Sequence, residues 1–180
     1  WFTVGRWADV SNDERGITWV TLDAPLIQVG GLTAILLNSQ TNPDVWRKNV
    51  DRTQKIYVWA MNNHWGTNYR AYQEGPTVFR FVLRPHRRSN AAEASRFATG
   101  FSQPLVAHAA GSELLKNPLL RVEPADVLVS GLKPSDDGRA LIVRLFGGGD
   151  KSRSAVLRWG DRKPKAVYLS DTGEQAGEKV

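Results

Sequence analysis

A chain of 180 residues that is 41% hydrophobic and 23% charged can bury a substantial core, which excludes disorder of the whole and permits one large domain or two small ones. Its net charge of +6 does not mark a nucleic-acid binder, because the excess is spread: residues 1–118 carry 13 basic and 9 acidic side chains, and residues 119–180 carry 11 and 9. With no cysteine there are no disulfides or thiolate metal sites, and no apolar run approaches the ~20 residues that a bilayer-spanning helix needs, so neither nucleic acid nor membrane is an expected partner.

The chain opens on Trp1-Phe2-Thr3-Val4 with neither a charged leader nor Met, which reads as a piece of a longer chain and leaves the compartment open. Nine prolines and sixteen glycines cut the apolar runs into short pieces rich in Val, Ile, Leu, Thr, Trp and Phe, a composition that predicts a mostly β, all-β-class fold. Strand signals fall at 2–10, 16–22, 26–29, 32–37, 54–61, 77–84, 104–108, 120–129, 140–146, 154–159 and 166–169. Turn chemistry separates them at Ser11-Asn12-Asp13, Gly30-Gly31, Asp136-Asp137-Gly138 and Gly147-Gly148-Gly149-Asp150. Tyr57-Val58-Trp59-Ala60-Met61 is almost continuously apolar, as in a strand covered on both faces. Arg80 and Arg84 interrupt the next strand, as they would near a sheet edge or a domain interface.

One short helix is predicted over 91–98, with Asn90 accepting from its first-turn amides, Glu93 three residues on, and Gly100 ending it. The basic run Arg84-Pro85-His86-Arg87-Arg88 then lies between strand and helix as a solvated loop. Residues 112–118 form the boundary between a large β-sandwich part, 1–118, and a small β-sandwich segment, 119–180, whose polar tail 171–180 is expected to fray.

Chemistry concentrates between residues 61 and 75. Asn62, Asn63 and Asn68 supply amides, His64 an imidazole, Trp65 an indole, and Tyr69 and Tyr72 phenols, followed by Gln73-Glu74-Gly75. Such a mixture hydrogen-bonds hydroxyl-rich ligands while stacking on their apolar faces, which is carbohydrate chemistry. Asn62, Asn63, His64, Trp65, Asn68, Tyr69 and Glu74 are therefore the expected carbohydrate-cleft or domain-interface residues. A structural reading stands beside it, with Trp65, Tyr69 and Tyr72 as corner packing and the asparagines satisfying backbone groups in an irregular connection.

No catalytic residue and no metal ligand is assigned. The carboxylate pairs Asp13-Glu14 and Asp136-Asp137 sit in turn contexts, and His64, His86 and His108 are isolated from partners at metal-ligand spacing. The glycine run at 147–150 lacks the Lys-Ser/Thr ending of a phosphate loop and reads as a hairpin turn.

The run NNHWxTNY over 62–69, followed by QEG and an aromatic-rich strand ending in Pro85-His86, resembles the C-terminal β-domain region of glycoside hydrolase family 38, the retaining α-mannosidases. Two further segments agree in the family's order, RGITWVTLDAPL over 15–26 and SGLKPSDDGRALIVRLF over 130–146. The resemblance covers most of the chain, but only the non-catalytic end of a much longer enzyme. It implies part of a galactose-mutarotase-like supersandwich followed by a smaller β-sandwich segment. It also implies that no cofactor belongs to this chain, zinc being held by His and Asp in the missing catalytic domain of the parent. The implied partners are that catalytic domain and carbohydrate, and the implied function is to support the one and complete the cleft for the other. The alternative is a free-standing carbohydrate-binding module whose exposed Trp and Tyr stack on sugar rings. A mutarotase-like acid and base would have to come from His64 and Glu74.

Overall fold

The computed structural model describes residues 1–31, 49, 50, 52–61, 70, 72–103, 105–107, 109 and 117–180. In chain order they form β1 (Phe2–Thr3), β2 (Trp7–Ser11), β3 (Gly16–Thr21), β4 (Leu26–Val29), β5 (Ile56–Val58), β6 (Phe81–His86), α1 (Ala91–Ser102), β7 (Leu120–Glu123), β8 (Val127–Pro134), β9 (Leu141–Gly147), β10 (Val156–Trp159), β11 (Tyr168–Ser170) and β12 (Ala176–Lys179). Strands in several small sheets with one short helix make this an all-β fold, as composition predicts. The chain divides into two compact units, Trp1–Ser89 with Phe97–Pro104, and Asn90–Arg96 with Leu105–Val180. The expected boundary at 112–118 lies mostly outside the described residues.

In the first unit, β1, β4 and β5 form one antiparallel sheet in that order, and β2, β3 and β6 form another. The second sheet sets Asp9 opposite Thr18 and Thr18 opposite Arg84, with Ser11, Gly16 and His86 aligned two residues further on. β3 is its central strand. Thr18, Trp19, Val20 and Thr21 are all buried there, and β-branched Val20 and Thr18 are the largest side chains that lose essentially all contact with solvent. Asn12 makes the β2–β3 turn: its Oδ1 accepts from the amides of Glu14 (3.0 Å) and Arg15 (2.8 Å). After β3, Thr21 Oγ1 donates to the Ala24 carbonyl (2.8 Å) and accepts from the Ala24 amide (3.0 Å), folding the chain towards β4.

In the second unit the strands pair two by two: β7 with β10, β8 with β9, and β11 with β12. The β8–β9 hairpin runs from Val127 opposite Gly147 to Pro134 opposite Leu141, with a register shift between Val129 and Gly131. Its turn is closed by Asp137 Oδ1, which accepts from Ser135 Oγ (2.6 Å) and the Arg139 amide (3.0 Å), while Gly138 takes φ 69°. Lys133 on β8 reaches Glu174 before β12 at 2.6 Å.

Several expectations are corrected. The 2–10 signal is two strands in different sheets, broken at Val4-Gly5-Arg6. The strand expected at 77–84 begins only at Phe81 and continues through Pro85 to His86, so part of the basic run is strand and not loop. Proline is tolerated there because β6 lies at a sheet edge, the position that Arg80 and Arg84 foretell. The 120–129 signal is likewise two strands, separated at the cis Glu123–Pro124 bond. Residues 105–107 form no strand, and Leu105 is fully exposed. The helix does not stop at Gly100 but reaches Ser102, because Phe101 packs edge-on against Phe97 at 5.0 Å and Ala98 is fully buried. The glycine run at 147–150 joins strands of different sheets and is no hairpin turn, the Gly148 amide donating to the Asp126 carbonyl (2.7 Å). The tail does not fray entirely, since β12 pairs with β11. The signal at 32–37 lies outside the described residues.

Candidate functional site

Of the residues expected to carry function, Asn62, Asn63, His64, Trp65, Asn68 and Tyr69 lie outside the described residues, and Glu74 is described. Glu74 is exposed beside Gly75, whose φ of 96° favours glycine, and Gln73 Nε2 donates weakly to Thr77 Oγ1 at 3.4 Å across the same bend. Nearby, the Arg70 guanidinium stands 6.0 Å over the ring of exposed Tyr72. On the other flank, Trp59 donates its backbone N–H to the Leu26 carbonyl (2.9 Å) and its indole N–H to the Met61 carbonyl (2.8 Å). Its ring lies 4.6 Å from that of Trp1, tilted by 52°. The two flanks belong to different sheets: Trp59 follows β5, and Glu74 precedes β6.

Two of the three segments that carry the family resemblance become neighbours. β3, from the 15–26 segment, pairs with β6 along its whole length. Asp23 then accepts from the Arg80 backbone amide (2.8 Å), its Nε (3.0 Å) and its Nη2 (2.9 Å). Hydrogen bonds from Arg80 hold the Asp23 carboxyl below the ordinary carboxylate value, and the guanidinium is pushed up in return.

A polar cluster that sequence reasoning missed lies on the same sheet. Asp9 Oδ2 accepts from Thr18 Oγ1 at 2.9 Å and from His86 Nε2 at 2.7 Å, with the carboxyl and imidazole only 9% and 11% exposed. Burial pushes the Asp9 carboxyl up, but hydrogen bonds from Ser11, Thr18 and His86 outweigh it and hold the group below its ordinary value. Asp9 and His86 are 77 residues apart. No local spacing announces such a pair. The available signal was a lone Asp at an inward position of W-A-D-V-S, which has to find a partner when buried.

The family resemblance implies zinc in a catalytic domain outside this chain. Among the described residues no three His, Cys, Asp or Glu side chains are grouped as a metal site, and the Nε2 of His86 is committed to Asp9. Among the described residues no helix is long and apolar enough to cross a membrane.

Fold and site together define a two-unit all-β chain whose first unit carries a buried polar pair. Comparison with known proteins finds no matching family model, no matching curated protein and no matching solved structure.

Proposed function

We propose that this chain is the non-catalytic C-terminal β-domain region of a family 38 glycoside hydrolase of the α-mannosidase type. In the parent it supports the catalytic domain and completes the carbohydrate cleft. The reading rests on one observation, the NNHWxTNY run with its QEG extension, flanked by two further family-like segments in the family's order. The pairing of β3 with β6 supports it, since it makes neighbours of segments that lie far apart in the chain. On this reading the first unit is part of a galactose-mutarotase-like supersandwich, and the second belongs to the smaller sandwich. Zinc and the two carboxyls, about 5 Å apart, that a retaining glycosidase needs belong to the missing catalytic domain.

An assay of the 180-residue chain on aryl α-mannosides, with and without added zinc, tests the assignment. The expected result is no turnover. Activity that survives repurification and responds to point mutation would overturn it. Titration with mannose oligosaccharides separates the alternative: saturable tryptophan quenching at micromolar sugar, abolished by Trp65→Ala in a folded chain, would make this a carbohydrate-binding module.

A further inference from the structure

We infer that Asp9 and His86 form an acid-released latch that pins the two edge strands β2 and β6 across β3. The two residues stand on strands that are not neighbours, and the imidazole reaches over the row where Gly16 provides no side chain. A Cβ added at Gly16 would lie 2.5 Å from His86 Cε1 and would also collide with the Ser11 side chain and the Val10 carbonyl. The gap at Gly16 is thus what admits the ring. The backbone ladders join β2 to β3 and β3 to β6, and this side-chain bridge joins the outer pair directly.

The bridge has little in reserve. Asp9 Oδ1 and His86 Nδ1 are buried and find no hydrogen-bond partner among the described residues, so compensation for burying both groups falls on the bonds that Asp9 accepts from Ser11, Thr18 and His86. A proton on the carboxylate takes the acceptor from His86 Nε2 and from Thr18 Oγ1. Around the pair, β2 offers no other titratable group on this face, and β3 offers Thr18 and Gly16. From β6 comes Arg84, whose guanidinium lies 5.5 Å over Phe97, and helix residues 97–102 of the same unit carry no titratable side chain. Arg6 points to Ser102 Oγ at 2.5 Å. Among these groups no second carboxylate takes up the proton in place of Asp9.

The sign follows from the direction of the Asp9 shift. A carboxyl held lower in the folded state stabilises the fold above its unfolded value, and that contribution is lost as pH falls through the folded value. The latch is closed at neutral pH and opens in acid.

Thermal melts of the 180-residue chain and of Asp9→Asn and Gly16→Ala, at about pH 6 and about pH 3, test this. At the higher pH, Asp9→Asn should melt about 10 °C lower, since it takes the carboxylate from buried His86 and Thr18, and the gap should narrow at the lower pH. Gly16→Ala keeps Asp9 and His86 but displaces the ring, so its gap should also narrow in acid, above a pH-independent loss from the crowding of Ser11 and Val10. A gap of equal size at both pH values, or none at the higher one, overturns the proposal. If the variants do not fold, amide exchange in the wild type decides, corrected for the intrinsic effect of pH. Acid should strip protection from β2 and β3 more than from β4, and equal losses in both sheets would sink the latch.

Discussion

Asp23 accepts three hydrogen bonds from Arg80, one from the backbone amide and two from the guanidinium, and through them the turn after β3 holds the chain that enters β6. Both partners face solvent, so the pair directs geometry more than it stabilises. Val20 acts by burial instead. It has no exposed surface, and Val20→Ala should cost about 2 kcal/mol in chemical denaturation, from lost apolar burial and the cavity left behind. Such residue-level roles are only partly legible in sequence. β-Branched Thr18 and Val20 announce a strand, but nothing in the spacing of Asp9, Gly16 and His86 says that one fills the gap left by another. On the function proposed above, functional and structural roles for the 62–69 segment make opposite predictions in the parent enzyme. If its side chains finish the cleft, His64→Ala should lower kcat/KM about tenfold, the equivalent of one hydrogen bond, with an unchanged melting temperature. A clear drop in melting temperature with intact kinetics would assign the segment to the scaffold.

At the scale of the element, local chemistry was the most dependable guide. Asn90 Oδ1 does accept from the Glu93 amide, at 3.1 Å, so the helix begins where the sequence places its cap. Asn90→Ala should cost about 1 kcal/mol, read as a shift of the denaturant midpoint without a change in slope. Asn12 and Asp137 likewise make the turns that their side chains predict. Breaks within apolar runs were harder to see. Phe2 and Trp7 lie five residues apart in one run yet enter different sheets, and Leu120 and Val127 do the same around Pro124. Strand partners are chosen by contacts far along the chain, which no window of ten residues contains. Gly100 misled for a related reason: its flexibility favours a stop, but the contact between Phe97 and Phe101 carries the helix past it.

Across the whole molecule, each unit has its own set of carboxyls held below their ordinary values. Asp9 and Asp23 belong to the first, with Glu123, Asp126 and Asp137 in the second. In the second unit the principal causes are hydrogen bonds from Arg158, Arg153 and Ser135, respectively. Every one of these shifts has the same sign, so each favours the folded state above the unfolded carboxylate value and loses its effect as pH falls through the folded one. Their weights differ. Asp23, Glu123, Asp126 and Asp137 keep water contact and are screened by dissolved ions, whereas Asp9 is shielded by the sheet around it. The fall in melting temperature on acidification should therefore shrink in roughly 0.5 M salt but persist in the wild type, because only the solvent-facing pairs are screened away. In Asp9→Asn the same salt should remove a larger share of the acid sensitivity that remains. Measured melting curves in which salt abolishes the acid fall equally in both proteins would show that the surface pairs, and not the Asp9 carboxyl, carry it.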